Sequence, residues 1–449
     1  MAHVETGLTQ SMRDDHPPIS DPSTQAAPER LRECPDCGLF LMLPELPAYA
    51  VARCPRCASV LRRGRVDPVG RPLVLALTGL MLLLIASQTS FLDLSINGVG
   101  RDTTVFTGPQ ALEQQGMWEL GVVVLITTIL APLARLLAIL WVLAGLRLTR
   151  PGVVTGGLLG ADHLAHVFRW AEALRPWAMV EVFLLGLFVA YSRLIALAHV
   201  DVGHAVYAMA ALMLAMAGVD ATMDPDTVWQ ELERRQAGGI APSLAPGAAD
   251  PGAAGWVGCD GCGLVSPAAE RQCRRCGARL RARKTASLSR TWALMLAAAC
   301  LYVPANILPV LTLIRLGRGA PSTILGGAEE LLRGGQWPLA LLVFVASIMV
   351  PMLKLIGLTV MLVTTQRGSV ARLRERTVLY RIVDMIGRWS MIDVFMISIL
   401  TALVRMGLVA SVFPGAGAVA FCGVVILTIL AALSFDPRLM WDAAAGERA

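Results

Sequence analysis

Charged residues are few in this 449-residue chain. Asp, Glu, Lys and Arg together make 16% of it against 55% hydrophobic residues, and the mean hydropathy is +0.61. So little charge excludes an ordinary soluble globule of this length and points to a membrane protein. The chain also lacks a GxxxxGK(S/T) phosphate loop, so ATP is not expected to be the local energy source. No nucleophile–base pair or open metal site is recognisable, which argues against an enzyme, and nothing suggests a nucleic-acid partner. Residues 1–33 carry no periodic apolar pattern and are expected to form a disordered tail. The first 72 residues contain no signal-peptide-like apolar run after the early charges, which predicts a cytosolic N-terminus.

What is present is a duplication. The stretch GRWSMIDVF, from Gly387 to Phe395, is echoed by WAMVEVF, from Trp177 to Phe183. A constant shift of 212 residues places Trp389 on Trp177, Asp393 on Glu181, Asp384 on Glu172, Arg405 on Arg193 and Trp441 on Trp229. Upstream the shift is 219, placing Cys273 and Cys276 on Cys54 and Cys57, Pro351 on Pro132 and Lys354 on Arg135. The chain therefore reads as two copies of one unit, each a cysteine module followed by apolar spans.

Cys34, Cys37, Cys54 and Cys57 form two Cys-x-x-Cys pairs, and so do Cys259, Cys262, Cys273 and Cys276. Paired knuckles at this separation have the spacing of a zinc ribbon, with four thiolates around one tetrahedral ion. Disulfides, redox thiols and a rubredoxin-like iron site are the alternatives, and a cytosolic location disfavours the first. Four protein thiolates leave no open coordination position, so two structural zinc ions are expected. Gly38, Gly263 and Gly277 follow knuckles where the backbone must turn tightly. Cys300 and Cys422 lie in apolar runs and read as core residues.

Eight apolar segments follow, near 73–91, 120–143, 177–199, 204–221, 292–314, 338–363, 389–411 and 417–434, each close to the ~20 residues that cross a bilayer. With the N-terminus inside, 31 of the 39 Lys and Arg residues fall on the cytosolic side, so the positive-inside rule puts both ribbons and both termini in the cytosol. Each copy should add a small outer β-hairpin: one turning at Asn97-Gly98, the other at Arg318-Gly319. The expected fold is an all-α polytopic membrane protein, a tandem repeat of zinc ribbon plus four-helix unit. Its divisions are a tail (1–33), ribbon 1 (34–72), membrane unit 1 (73–224), linker (225–257), ribbon 2 (258–290), membrane unit 2 (291–436) and a C-terminal tail (437–449).

Ionisable groups inside spans are costly and default to functional candidates. Lys354 lies ~14 Å and Asp393 ~8 Å from the cytosolic ends of adjacent spans at 1.5 Å per residue, so the two are expected to meet. Arg135 and Glu181 repeat the arrangement. The plain reading is a neutral pair that pins two helices; the sharper one is a polar network linked to protons or substrate. Asp384 precedes its span and reads equally well as a solvated surface charge. Arg193 and Arg405 read as snorkelling anchors. Pro132 and Pro351 should kink their helices, as should Pro304 and Pro309 around Asn306.

The ribbons, the four-span units and the motifs PANILP, VPMLK and GRWSMIDVF together resemble the paraquat-inducible protein A family of bacterial inner-membrane proteins. That resemblance implies a multi-pass protein of the bacterial inner membrane that passes phospholipid to or from a periplasmic tunnel of MCE-domain proteins. It singles out Asn306, Lys354, Asp384, Ser390 and Asp393. The first copy departs from the pattern, with Ser87, Arg135, Ala178 and Glu181 where the second has Asn306, Lys354, Ser390 and Asp393. The competing readings are a secondary transporter of small amphiphiles and a membrane scaffold whose ribbons bind a partner.

Overall fold

The computed structural model describes residues 3–5, 30–96, 99–148, 157–195, 199–236, 255–315, 318–403 and 410–446. Among them, eight helices are long and apolar enough to cross a membrane: Gly70–Gln88, Trp118–Leu148, Ala161–Leu194, His204–Thr222, Ser287–Ile307, Trp337–Gln366, Leu373–Leu403 and Ala416–Ser434. The second and third helices of each copy run for 30 to 34 residues. At 1.5 Å per residue that is about 45–50 Å, well beyond a ~30 Å hydrocarbon core. The surplus lies at the ribbon end. The third helix of each copy begins near 161 and 373 rather than 177 and 389, because HLAHVFRWAEAL, too polar to read as a span, still buries Leu164, Ala165, Phe168 and Ala171 at helical spacing.

Both proline sites distort their helices. In each copy the turn just before the proline widens into a π-helical segment, Ile126–Leu130 ahead of Pro132 and Val345–Met349 ahead of Pro351. Carbonyls of both segments take partners from other helices: Thr127 accepts from the Met179 amide at 3.3 Å, and Ile348 accepts from the Tyr302 hydroxyl at 3.4 Å. Pro304 lies inside Ser287–Ile307.

Opposite the ribbons, each copy carries a three-stranded antiparallel sheet rather than a hairpin alone. Leu92–Ile96 pairs with Val99–Thr103 and also with His199–Val202; Leu311–Arg315 pairs with Arg318–Ser322 and with Ala410–Pro414. The added strand comes from the second loop at that end. Arg318 pairs with Arg315, so the second turn sits two residues earlier than expected, and both turns, like Arg405, lie outside the described residues.

The copies meet where the repeat meets itself. Phe183 and Phe395, equivalent at the shift of 212, stack edge-on with ring centroids 5.6 Å apart. Gly186 permits this approach, since a methyl there would lie 2.9 Å from the Phe395 Cβ. An axis of pseudo-twofold symmetry therefore passes between these two helices.

The ribbons are exchanged across that axis. Cys34, Cys37, Cys54 and Cys57 share a core with Leu358, Met361, Phe435 and Trp441 of the second copy, whereas the second ribbon's cysteines join Phe168 and Trp229 of the first. Equivalent arginines make the exchange reciprocal: Arg381 donates to the Cys57 carbonyl at 2.8 Å, and Arg169 to that of Cys276 at 3.0 Å. Strand Arg30–Glu33 also binds the first copy's own helix Pro225–Glu233 through Arg32 and Asp226. Thus the presumed tail contributes strands at His3–Glu5 and Arg30–Glu33, the presumed linker opens with a helix, and the C-terminal segment folds as Arg438–Ala445.

Candidate functional site

The cysteines fit a metal. In each ribbon the four Sγ atoms lie within 4.8 Å of one another, and the closest pairs are 3.5–3.6 Å apart. A tetrahedron with metal–sulfur bonds of ~2.3 Å has edges of about 3.8 Å, whereas a disulfide would bring the sulfurs to ~2.05 Å. All eight cysteines are buried. Gly38, Gly263 and Gly277 adopt φ of +67° to +74°, as their positions suggested, and each amide donates back to the first cysteine of its knuckle. The fourth knuckle adopts the same turn with Ala58 at φ +58°, which the sequence did not announce.

Between the ribbons, Arg438 forms a hub. It is 4% exposed and donates to Asp436 at 3.0 and 3.1 Å, to Asp260 at 2.9 Å and to Glu33 at 3.3 Å. Burial raises the Glu33 carboxyl above its usual range against the pull of Arg438. For Asp436 burial pushes the same way, yet the Arg438 hydrogen bonds win and hold it below.

The polar groups of the spans fall into two clusters. On the ribbon side, Lys354 and Asp384 of the second copy face Arg175 and Asp220 of the first across a cavity of about 320 Å³. Lys354 is 2% exposed; its ammonium donates to the Gly387 carbonyl at 2.8 Å and to the Thr428 hydroxyl at 3.3 Å. Ile429, Ala432 and Leu433 supply the apolar wall. Beside this cavity the buried Arg135 pairs with Asp220, which Arg175 also approaches at 3.5 Å. Glu181, the partner expected for Arg135, is exposed on the first turn of its helix.

Asp393 belongs to the other cluster, toward the sheets. It is 4% exposed, its Oδ1 is unpartnered, and it sits beside Ser347 of the π segment. With Arg193 of the first copy it lines a small pocket against Thr323 and Gly327. Lys354 and Asp393 therefore do not pair. Ser390, in the 3-10 turn Gly387–Met391 that separates them along the chain, is buried with its hydroxyl unpartnered. Asn306 stands apart, donating to the Tyr302 carbonyl of its own helix at 2.8 Å.

The family model for Paraquat-inducible protein A matches residues 69–233 and again 288–445. The chain belongs to the paraquat-inducible protein A family. The double match coincides with the two membrane units and leaves both four-cysteine clusters outside it. The chain is 34% identical over 414 residues to the Intermembrane transport protein PqiA of Escherichia coli (strain K12), covering 91% of this chain and 95% of that one. It is 31% identical over 412 residues to the Lipophilic envelope-spanning tunnel protein A of the same strain, covering 92% and 91%. It is 24% identical over 426 residues to a Probable intermembrane transport protein of Haemophilus influenzae, covering 92% and 96%. No solved structure matches. Family membership, with eight spanning helices, makes this a multi-pass membrane protein of an intermembrane transport family.

Asp220, Arg175, Thr428 and Ser347 escaped the sequence reading, and Arg193 was read only as an anchor. The repeat held a usable signal for two of them. Asp220 stands where the second copy has Ala432, so only the first copy answers its intramembrane cation with a carboxylate at that place. Arg193 was assigned to lipid headgroups because it lies at a span's end, but its neighbour is an acid of the other copy.

Proposed function

We propose that this protein is the inner-membrane component of an intermembrane phospholipid transport system, with its zinc-loaded ribbons and termini in the cytosol, passing lipid to or from a periplasmic tunnel of MCE-type proteins. The cavity of about 320 Å³ carries the reading: a space large enough for a headgroup, with a buried ammonium on one wall and an apolar wall beside it. A phospholipid needs those two surfaces together. Irregular backbone at membrane depth is tolerated where it lines such a space, and the 3-10 turn from Gly387 does so. The names of the relatives support intermembrane transport, and the concentration of Lys and Arg at the ribbon end supports a cytosolic location for it.

In this reading Lys354 receives the headgroup, Asp384 and Asp220 set the charge around it, and Arg135 holds Asp220 in place. Asp393, with an unpartnered oxygen and Arg193 nearby, is the group to take up and release a proton as lipid moves toward the sheets. Ser390 sits in the turn that separates the two along the chain, and Asn306 holds the helix flanking Pro304. The four thiolates of each ribbon would hold zinc, which would tie the two knuckles of that ribbon together. The test is lipid flux between donor and acceptor vesicles through the reconstituted system. Asp393→Asn should abolish flux while metal content and monodispersity stay as in the wild type; unchanged flux rejects the proton role, and unchanged flux in Lys354→Met rejects the lipid station.

A further inference from the structure

We propose that Asp393 exchanges its proton with the sheet end of the molecule alone, through a pocket the size of one water. The inference rests on the proton role given to Asp393 above and goes past it by naming the route. The pocket holds about 20 Å³, and a space of ~10–15 Å³ admits a water that finds two or more polar partners. Asp393 and Arg193 both line it, and each keeps a buried atom without a partner, Oδ1 of the one and Nε of the other. Ser322, at the end of its strand, and Thr323, which caps the helix Ile324–Arg333, line it half-buried and add two hydroxyls on the way to the surface. The Ser322 hydroxyl donates to the Thr323 carbonyl and the Thr323 oxygen accepts from the Gly326 amide, which leaves an acceptor on the first and a donor on the second. A water seated among them accepts from the guanidinium and donates to the carboxylate. A hydronium arriving there leaves its proton on Oδ1 and departs as water, so the carboxylate becomes the acid.

The ribbon end offers no matching route. Lys354 follows Ser347 by seven residues, or ~10 Å along the helix, and faces the separate cavity at that end. No residue lines both spaces. Between Gly387 in the one and Asp393 in the other lie Ser390, Met391 and Ile392, each 1% exposed. The lone Ser390 hydroxyl is too short to relay a proton over that distance, and a bare charge in an apolar layer is costly. Arg193 is the charge that faces Asp393, and the exposed Glu330 acts on Arg193 from the sheet end as well. A proton taken up from the sheets therefore returns to the sheets unless the layer rearranges.

The duplication supplies an internal comparison, because the first copy contains a twin of this pocket. At the shift of 219, Thr103, Thr104 and Gly108 take the places of Ser322, Thr323 and Gly327, and the volume is again about 20 Å³. The twin is walled by apolar groups such as Phe183 and Leu187, and none of its lining residues is ionisable. Glu181, which stands for Asp393, is exposed on the first turn of its helix and does not line the twin. Only the second copy is built to take the proton.

The experiment follows the carboxylic C=O stretch of the full-length, metal-loaded protein by infrared spectroscopy in lipid vesicles. Capture on a C-terminal tag, which lies at the ribbon end beside Met440 and Trp441, sorts the vesicles by orientation. The Asp393 band is the one missing from Asp393→Asn. The pH outside is stepped while the inside stays buffered. We expect the band to follow the outside pH in vesicles with the sheets outward and to ignore it in vesicles with the ribbons outward. Gly327→Leu should remove the response with metal content unchanged, since even a methyl at that place lies 3.3 Å from Arg193 Nη2. A band that follows pH from the ribbon end, or equally from both ends, or that still responds in Gly327→Leu, overturns the route and leaves the proton role standing. A band absent at every pH on both sides overturns both.

Discussion

Replacing Arg438 by Met tests how the two halves are held together at the ribbon end. The guanidinium is buried and shared by Asp436, which is 1% exposed, Glu33, which is 4% exposed, and Asp260, which is 53% exposed. Methionine keeps much of the volume and strands the acids. Glu33 retains Arg283 at 3.1 Å and the Gly258 amide at 2.7 Å, so its loss is partial, whereas Asp436 loses its guanidinium partner and keeps two backbone amides, that of Lys284 at 3.0 Å and that of residue 438 at 3.1 Å. Removing one partner of such a buried network costs about 3–5 kcal/mol, while the exposed contact to Asp260 is worth under about 1 kcal/mol. Because Glu33 adjoins Cys34 and Asp260 lies between Cys259 and Cys262, loosening should appear as metal release from both ribbons. The assay is the rate of metal transfer to a chromophoric chelator in detergent. Arg438→Met should accelerate it about 150- to 4,000-fold, and Asp260→Asn less than about fivefold. Comparable rates for the two variants would refute the hub.

The same hub sets an acid limit. Asp436 is held below its ordinary value of 3.8, so its contribution is fully present at neutral pH and is lost only as pH falls through that value toward the folded one; the difference in thermal midpoint between wild type and Asp436→Asn should therefore be constant from pH 5 to 8, and a difference that vanishes near pH 6 would contradict it. Gly277→Ala should weaken the second ribbon more than Gly335→Ala weakens its own turn. Both sit at positive φ, costing roughly 1–2 kcal/mol, but only the former puts a methyl 2.7 Å from the His166 ring; equal shifts in thermal midpoint would deny the docking of ribbon 2 on the first copy. Chelation of the metal should expose Arg62 to Arg65 and Arg279 to Lys284 to trypsin together, because each ribbon is held by the opposite copy; cleavage of one ribbon alone would reject the exchange. In thermal midpoints, Arg193→Met and Asp393→Asn should be coupled, whereas Lys354→Met and Asp393→Asn should be additive within about 0.5 kcal/mol.

The duplicated architecture, the eight spans and the four-cysteine clusters were legible because each leaves a local mark: an apolar run, a repeated interval, a knuckle. Depth was legible too, but direction around a helix was not. Lys354 and Asp393 lie at depths that permit contact, yet the 3-10 turn Gly387–Met391 changes the course of the chain between them, and Asp393 turns to Ser347 and Arg193. The third strand of each sheet escaped notice because His199–Val202 and Ala410–Pro414 are single short segments that become strands only beside a hairpin far away in sequence. The ribbon exchange was in principle readable from the shared arginine at 169 and 381, since both copies place it in the same register. An arginine on an amphipathic helix has too many ordinary explanations to have been singled out.

The central claim is that lipid enters the space beside Lys354. A phosphatidylethanolamine carrying a diazirine on its headgroup, photolysed with the protein in nanodiscs and mapped by peptide mass spectrometry, reports on it most directly. The account predicts labels on the peptides spanning Asp384 to Gly387 and Thr428 to Leu433, lost in Lys354→Met. Labels confined to outward-facing positions such as Phe188 and Leu353, unchanged by that substitution, would contradict it.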